Sequence, residues 1–280
     1  MDLAGKNVII TGGSSGIGKA AARLFAQRGA NIAIIARRQE LLNAALAELE
    51  QERTSEAQVL LSCSADLADW EQASAAIEAV TANGRAPDVL INSAGTVRPG
   101  YFHELPIDVF RQTMDIDFFG TLHPCKLVTP MMMARRSGHI VNLSSVAGFL
   151  GVFGYTAYSA AKFAVRGFSD VLRSELKPYG VRVSIVFPPD TNTPQLVEEN
   201  KYKPLETQRL SGTIRPVEPE QVAEAIVRAI GTGRYIIAPG LQPRLVYALT
   251  NGLQGVARWY LDRVIAGARK EARLDVTEQS

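Results

Sequence analysis

The chain has 280 residues, of which 46% are hydrophobic and 21% charged, which is enough apolar material for one large α/β domain and excludes a wholly disordered chain. Its formal net charge of +2 gives no electrostatic case for binding nucleic acid. The two cysteines and three histidines lack the spacing of disulfide frameworks or metal sites, so we predict a cytoplasmic protein without a metal. Met1 leads straight into the first predicted strand, so no signal peptide is expected.

Short apolar, β-branched runs alternate with longer helical patterns along the chain. This alternation predicts a single α/β domain, a Rossmann-type doubly wound parallel sheet with helices on both faces. The predicted strands cover residues 7–11, 31–36, 58–62, 89–92, 139–143, 182–187 and 235–237, and the predicted helices include 39–53, 69–81, 107–135 and 219–230.

A glycine-rich turn follows the first predicted strand and opens the first helix. Gly12 permits a tight turn, while Gly16 and Gly18 let a pyrophosphate approach the helix N-terminus, where free N–H groups and the helix dipole favour anions. Such a turn alone is weak evidence, but its position between a strand and a helix predicts a dinucleotide site. The predicted cofactor contacts of this turn are Gly12, Ser14, Ser15, Gly16, Ile17 and Gly18.

The same turn also matches the Gly-x-Ser-x-Gly pattern of the α/β-hydrolase nucleophile elbow, at Gly12, Ser14 and Gly16. Three observations speak against a hydrolase. The pattern lies on the first strand with no oxyanion-forming loop before it, Gly18 has no role in it, and the Tyr158–Lys162 pattern is left unexplained. We therefore favour the dinucleotide site.

The end of the second predicted strand bears on the choice of cofactor. An acid there would bind the ribose 2′-hydroxyl of NAD, but Ala36 occupies the position and Arg37 and Arg38 follow it. Guanidinium groups in place of a carboxylate favour a 2′-phosphate, so we predict NADPH/NADP with Arg37 as its contact. The alternative is that the two arginines merely begin a solvated helix.

Polar and small residues follow three further strands, at the edge where ligands bind in such sheets. Asp66 could bond the adenine edge of the cofactor or, equally, cap the next helix. Asn92, Ala94 and Gly95 end the fourth strand, where small residues let the backbone lie against a ribose. Ser145 ends the fifth strand and directs a hydroxyl to the crevice, unless it serves only the local turn.

Tyr158 and Lys162 stand four residues apart, which places both side chains on one face of a helix. An ammonium beside a phenol favours the phenolate and lowers its pKa. A phenol tuned in this way can exchange a proton with a carbonyl or an alcohol near neutral pH. Tyr155 lacks such a partner, because Ser159 lies four residues after it. Taken alone, the pattern is also typical of a surface helix.

In these motifs the chain resembles the short-chain dehydrogenase/reductase family. The resemblance implies that Ser145 polarises the substrate oxygen, that Tyr158 is the acid–base catalyst, and that Lys162 binds the nicotinamide ribose and tunes Tyr158. Thr193 is expected to anchor the nicotinamide side. The matching motifs, over residues 5 to about 193, are Thr11-Gly12-x-x-x-Gly16-x-Gly18, Asn92-Ser93-Ala94-Gly95, Ser145 and Tyr158-x-x-x-Lys162.

Asp117 stands where the family has an asparagine, and it completes the set of catalytic candidates. Its carboxylate could pair with Lys162 and hold that residue cationic. It could instead act only through its main-chain carbonyl, which would hold a water in a proton relay. We favour the second alternative, because the family role is compatible with a backbone contact, and expect the carboxylate to be dispensable.

The residues after the sixth strand are similar to those of one branch of the family, the 3-ketodihydrosphingosine reductases. The resemblance implies NADPH-dependent reduction of 3-oxosphinganine, a lipid-like ketone, to sphinganine. A generic reductase of 3-oxoacyl or hydroxysteroid-like ketones and a non-enzymatic NADPH-sensing protein are the alternatives. The similar stretches are Phe187-Pro188-Pro189-Asp190-Thr191-Asn192-Thr193-Pro194, Glu198-Glu199-Asn200 and Lys203-Pro204-Leu205-Glu206-Thr207.

Two C-terminal segments are predicted to serve such a substrate. Segment 188–219 is rich in proline and charge, and it follows a strand end, so we expect it to cover the substrate. Segment 241–270 is amphipathic and basic, and none of its apolar runs is long enough to span a bilayer. We predict that it forms an apolar path for the substrate toward Tyr158 and that it contacts a membrane surface peripherally. The alternative is packing on the domain or on a second subunit of a homo-oligomer. Both interpretations bury Leu249 and Leu253, and they differ at Trp259 and Tyr260.

Overall fold

The structure is a computed structural model that describes residues 3–211 and 215–252, together with residues 263 and 267. In this part of the chain seven strands form one sheet in the order β3-β2-β1-β4-β5-β6-β7, and every neighbouring pair is parallel. The predicted doubly wound parallel sheet is confirmed. The strands are β1 (Asn7–Thr11), β2 (Asn31–Ala36), β3 (Leu60–Ser64), β4 (Val89–Asn92), β5 (Gly138–Leu143), β6 (Val181–Val186) and β7 (Ile236–Ile237).

Helices cover both faces of the sheet, because each strand is apolar on both sides and needs two layers to bury it. The helices are α1 (Gly16–Ala26), α2 (Gln39–Gln51), α3 (Trp70–Thr81), α4 (Ile107–Met114), α5 (Gly120–Arg135), α6 (Thr156–Leu176), α7 (Pro194–Asn200), α8 (Leu205–Ser211), α9 (Pro219–Thr232) and α10 (Leu241–Gly252).

The sheet separates the two larger apolar clusters of the core. On one face Phe25 of α1 and Ile226 of α9 pack against the central strands, and both side chains are fully buried. On the other face Val128 and Met132 of α5 pack against Leu90 and its neighbours. Burying one such side chain contributes about 1.5–3 kcal/mol, so these two clusters hold the strand ends in fixed positions.

The strand order reverses between β1 and β4, and parallel sheets of this kind bind ligands at that point. The loops after the two strands are tied together there. The hydroxyl oxygen of Thr11 accepts hydrogen bonds from the backbone N–H groups of Ser93 (3.1 Å) and Ala94 (3.2 Å). A crevice is therefore formed at the carboxyl edge of the sheet.

The third strand begins two residues later than predicted, at Leu60. Gln58 is held before it by its own side chain, whose amide N–H group donates to the carbonyls of Ala26 and Ala30, both at 2.9 Å. Its side-chain oxygen accepts from the backbone N–H group of Thr54 at 2.6 Å. These bonds fix Gln58 in the preceding turn, where strand periodicity cannot detect them.

The long helix predicted over residues 107–135 is present but irregular. Five residues, Asp115–Phe119, form a π-helical turn between α4 and α5. Such turns insert an extra residue into a helix and are frequent at functional sites. Asp117 lies on this turn, and its side chain is fully buried.

The described part of the C-terminal segment packs onto the domain. The ring of Tyr247 on α10 lies 5.1 Å from that of Phe149 and 5.4 Å from that of Phe187, measured between ring centroids. The side chain of Leu249 and the residues Leu253, Trp259 and Tyr260 lie outside the described residues, so the predictions made for them stay predictions. Within the described ranges, no helix has both the length and the apolar character that a bilayer crossing requires.

Candidate active site

A cavity of about 1240 Å³ opens at the carboxyl edge of the sheet. Its walls are the glycine turn after β1, the residues that follow β2 to β6, the N-terminal part of α6, segment 188–219 and α10. The segment expected to cover a substrate therefore forms one side of this cavity. Three residues of α10 also reach it, namely Pro243, Val246 and Thr250.

The glycine turn leaves space that a side chain would fill. Gly12 has a φ of +65°, and a Cβ atom there would lie 2.7 Å from the carbonyl oxygen of Ser93. Gly16 also has a positive φ, +53°, and Thr193 lies against it. Helix α1 begins here without a side-chain cap at Ser15, so its first N–H groups stay available. This uncapped helix end, with Ser14 and Ile17 also on the cavity wall, fits the pyrophosphate of a dinucleotide.

Two of the predicted cofactor contacts do not line the cavity. A Cβ at Gly18 would lie 2.4 Å from the carbonyl oxygen of Gly12, so Gly18 allows α1 to approach the turn. Asn92 is 1% exposed, and its side-chain N–H group donates to Asn142 Oδ1 at 2.9 Å. Side chains alternate between the two faces of a strand, and the side chain of Asn92, the last residue of β4, is directed toward Asn142 rather than into the crevice. Ala94 and Gly95, beyond the strand end, do line the cavity.

The wall near the end of β2 is basic. Arg37 and Arg38 follow Ala36 and line the cavity, and among the described residues neither has an acidic partner within ion-pair distance. Asp66 faces the same region. Its carboxylate accepts from the backbone N–H group two residues ahead at 3.1 Å, while Asp69 caps α3. The alternative in which Asp66 caps this helix is therefore wrong, and its contact with adenine stays a prediction.

Ser145 and Tyr158 meet at the floor of the cavity. Ser145 lies two residues after the end of β5, and its hydroxyl hydrogen-bonds with the phenol of Tyr158 on α6. The hydroxyl of the neighbouring Ser144 donates to the carbonyl of Lys162 at 2.9 Å. That bond fixes α6 against the strand end, which positions both predicted catalytic hydroxyls. Thr193 caps α7 on the opposite wall, where it accepts from the backbone N–H group of Leu196 at 3.3 Å.

Lys162 lies one turn beyond Tyr158 and is 4% exposed. Its Nζ atom lies 3.4 Å from Oδ2 of Asp117 and donates to the carbonyl of Leu143 at 3.3 Å. The other carboxylate oxygen of Asp117 accepts from the backbone N–H group of Thr96 at 2.6 Å. The carboxylate of Asp117 thus lies within ion-pair distance of Lys162, as in the first alternative, and whether this carboxylate is dispensable in catalysis stays a prediction.

The pKa of Tyr158 is raised, not lowered as the Tyr–Lys spacing predicts. Burial is the main cause, and the negative charges of Asp117 and Glu199 add to it, while the hydrogen bond with Ser145 opposes it. The ammonium of Lys162 lies 5.5 Å from the ring centroid of Tyr158 and closer to Asp117. Tyr158 therefore keeps its proton at neutral pH, as a proton donor must.

Four polar residues near Tyr158 were missed as site residues by the sequence analysis: Tyr155, Asp190, Glu199 and Lys203. Tyr155, Asp190 and Glu199 line the cavity. Lys203 lies behind them, with Nζ 3.1 Å from Oε1 of Glu199 and 3.4 Å from Oδ2 of Asp190. The available signal was the four-residue spacing between Glu199 and Lys203, which is typical of an ion pair on a helix, although α7 ends at Asn200 and Lys203 lies beyond it.

Comparisons with known proteins agree with this geometry. Residues 6–204 match a family model described as short chain dehydrogenase. The chain is 42% identical over 277 residues to the 3-ketodihydrosphingosine reductase of Mus musculus, which covers 94% of this chain and 83% of the mouse protein. It is 40% identical over 257 residues to the 3-dehydrosphinganine reductase of Danio rerio, with 91% of this chain and 77% of the relative covered.

Solved structures show the same architecture. Levodione reductase superimposes with a TM-score of 0.79 at 26% identity, covering 86% of this chain and 99% of that one. A short chain dehydrogenase/reductase from Burkholderia phymatum, solved in complex with NAD, superimposes with a TM-score of 0.81 at 21% identity and covers 91% of this chain and 96% of that one. The second likeness concerns the fold alone.

Proposed function

The chain belongs to the short-chain dehydrogenase/reductase family, and we propose that it uses NADPH to reduce the 3-keto group of 3-oxosphinganine, which gives sphinganine. The observation that carries the proposal is the placement of Ser145, Tyr158 and Lys162 together at the floor of one large cavity. The identity to reductases of 3-ketodihydrosphingosine in two vertebrates supports the choice of substrate.

The protein's own part in the reaction is to hold the ketone and to deliver a proton. NADPH, when bound, supplies the hydride that adds to the ketone carbon. The hydroxyl of Ser145 hydrogen-bonds with that of Tyr158, so one ketone oxygen can contact both. Tyr158 donates its proton to this oxygen as the alcohol forms. Lys162, held by Asp117 and the carbonyl of Leu143, then stabilises the phenolate that remains.

The cofactor is proposed to be NADPH because of the charges near the end of β2. The wall there carries Arg37 and Arg38, and Ala36 stands where a carboxylate would bind the 2′-hydroxyl of NADH. Replacing Arg37 by alanine should weaken NADPH binding roughly ten- to hundredfold, the effect of one lost charge-assisted hydrogen bond, and should leave NADH binding unchanged. Equal KM values for the two cofactors in the native protein would rule out this preference.

A long-chain substrate is supported by the cavity wall opposite the cofactor region. Apolar side chains line it between Tyr158 and α10, so an alkyl chain can lie there while the ketone reaches the phenol. These side chains are Leu150, Val152, Leu196, Leu210, Pro243 and Val246.

The proposal is tested by following NADPH oxidation with 3-oxosphinganine and, in parallel, with a short 3-oxoacyl thioester. We expect turnover of the long-chain aminoketone at an efficiency well above that of the thioester. Reduction of the thioester alone would favour a generic 3-oxoacyl reductase. Tight NADPH binding without turnover of either ketone would favour an NADPH-sensing protein.

We further propose that residues 241–270 bring the protein to membrane surfaces that contain its substrate. Tyr247 packs within the domain, so a truncation after Gly252 tests the rest of the segment without removing α10. The full chain should sediment with anionic liposomes, and the truncated chain should do so less. If both ignore liposomes while truncation alters the oligomeric state in size-exclusion chromatography, the segment contacts a second subunit instead.

A further inference from the structure

A buried cluster of charged and phenolic side chains lies beside Tyr158 and has no part in the proton transfer described above. We call Tyr155, Asp190, Glu199 and Lys203 the lid cluster, because three of them belong to segment 188–219. Tyr155, Glu199 and Lys203 are only 6%, 8% and 6% exposed. Groups of this kind are costly to bury, so their presence at the wall of a binding cavity calls for a functional explanation.

The hydrogen bonds of the lid cluster use only one of the two oxygens of Glu199. Oε1 accepts from the phenol of Tyr155 and from Nζ of Lys203, which lies at 3.1 Å. Oε2 has no hydrogen-bond partner among the described residues, and it retains some accessible surface. Since Glu199 lines the cavity, this oxygen is open to it.

The charges of the lid cluster do not balance. One ammonium, that of Lys203, serves two carboxylates, since it also lies 3.4 Å from Oδ2 of Asp190. Burial raises the pKa of Glu199, and the bonds from Tyr155 and Lys203 oppose that rise. A cation bound at Oε2 would complete the charge balance and favour the ionised carboxylate.

The lid cluster lies beside the phenol of Tyr158. The ring of Tyr155 is 5.9 Å from that of Tyr158 between centroids, and the charge of Glu199 acts on the pKa of Tyr158. The ketone oxygen of a substrate must reach the phenol of Tyr158. A group on the neighbouring substrate carbon can then reach the wall that holds Glu199, since Tyr158 and Glu199 line the same cavity.

We propose that Glu199 binds the ammonium group on the carbon adjacent to the substrate's ketone and thereby selects aminoketones over plain ketones. This inference rests on the proposed function, because 3-oxosphinganine carries a primary amine at that position. Lys203 and Tyr155 hold Glu199 in place, and Asp190 adds to the negative potential. Glu199 is thus a specificity residue, separate from the proton donor.

The test compares 3-oxosphinganine with its desamino analogue, the same long-chain hydroxyketone without the amine. The native protein should show a kcat/KM roughly ten- to hundredfold higher for the aminoketone, the size expected for one hydrogen bond to a charged group. Glu199→Gln keeps the shape and removes the charge. It should abolish this preference by lowering kcat/KM for the aminoketone far more than for the analogue, with NADPH affinity unchanged.

Glu206→Gln is the matched control. Glu206 is a second buried glutamate of the same segment, it accepts from the phenol of Tyr101 at 3.0 Å, and it does not line the cavity. This variant should keep the native preference for the aminoketone, even where loosening of the segment lowers both rates. An equal fall with both ketones in Glu199→Gln would mean that Glu199 only supports the fold.

A measurement on the native protein keeps the inference testable if Glu199→Gln does not fold. A long-chain primary amine should inhibit reduction of the aminoketone competitively and at least tenfold more strongly than the alcohol of equal length. Equal inhibition, or equal efficiency with the two ketones, overturns the assignment of Glu199 while the reductase proposal stands. Failure to reduce either ketone would overturn both.

Discussion

Two glutamate–lysine pairs lie side by side in segment 188–219, and their surroundings differ sharply. The side chains of Lys201 and Glu198 are 59% and 56% exposed, whereas those of Lys203 and Glu199 are 2% and 11% exposed. The hydrogen bond from Lys201 lowers the pKa of Glu198, while burial raises the pKa of its neighbour Glu199. Adjacent residues of one type therefore respond to opposite influences.

The difference shows that accessibility, rather than residue type, decides what a charged pair does here. An exposed pair is surrounded by water and salt, so its charges contribute little to stability or to binding. A buried pair loses its hydration, and each charge then depends on its partner. Only the pair with Glu199 can also present an oxygen to the substrate cavity.

The pair of Asp117 and Lys162 extends the comparison to complete burial. Asp117 is fully buried and does not line the cavity, so its carboxylate acts only on protein groups. One ammonium faces one carboxylate there, in contrast to the surplus of carboxylates around Lys203. We assign the balanced pair to positioning and the unbalanced one to ligand recognition.

The largest effect is expected from breaking the lid cluster at its cation. Lys203→Met leaves Glu199 and Asp190 without their ammonium and should lower the free energy of unfolding by about 3–5 kcal/mol. Removing the lysine raises the pKa of Glu199 further above its unfolded value. The folded state then binds more protons than the unfolded state, so the loss should shrink as the pH falls from mildly alkaline to mildly acidic. Urea denaturation across this range measures both effects, and a pH-independent loss would mean that Glu199 is not charged.

The next largest effect is expected at Tyr158, whose pKa both buried carboxylates influence. Tyr158→Phe keeps the ring and removes the proton donor, so kcat should fall roughly a hundredfold or more with nearly normal NADPH binding. Tyr155→Phe is the control for the loss of a nearby phenol, and it should retain most of its turnover. Full activity of Tyr158→Phe would mean that another group donates the proton, and Tyr155 would be the first candidate.

Much of the fold was predictable because it depends on local patterns. The continuous β-branched runs predicted β1, β2 and β4 to the residue, since parallel strands buried on both faces are apolar throughout. The glycine turn and the spacing of Tyr158 and Lys162 were equally local, and the structure places Gly12, Gly16 and both catalytic candidates at one cavity.

The remainder depends on contacts between distant parts of the chain. The lid cluster combines Tyr155, Asp190, Glu199 and Lys203, from the start of α6 and two parts of segment 188–219. Only Glu199 and Lys203 are connected by a sequence spacing. The raised pKa of Tyr158 arises from burial and from the carboxylate of Asp117, which no local pattern places beside it. Sequence spacing thus identified Tyr158 and Lys162 but not the charged groups that set the electrostatic balance around them.

A smaller effect is expected when the balanced pair loses its negative charge. Asp117→Asn can still accept from the N–H group of Thr96, but it no longer raises the pKa of Tyr158. Because reduction needs a protonated Tyr158, activity falls as the pH rises through its pKa. The alkaline limb of the kcat profile should therefore move to lower pH. An unshifted limb would mean that the carboxylate is dispensable.

The smallest effect is expected at the exposed pair. Glu198→Gln removes one charge from a pair that is more than half accessible to water, so its loss is compensated by hydration. Its melting temperature, its kcat/KM for 3-oxosphinganine and its preference over the desamino analogue should all match the native values. Glu199→Gln differs from it by one position in the chain, carries the same chemical change and should lose the preference. If both variants lose it, the negative potential of the whole segment attracts the amine, and no single carboxylate binds it.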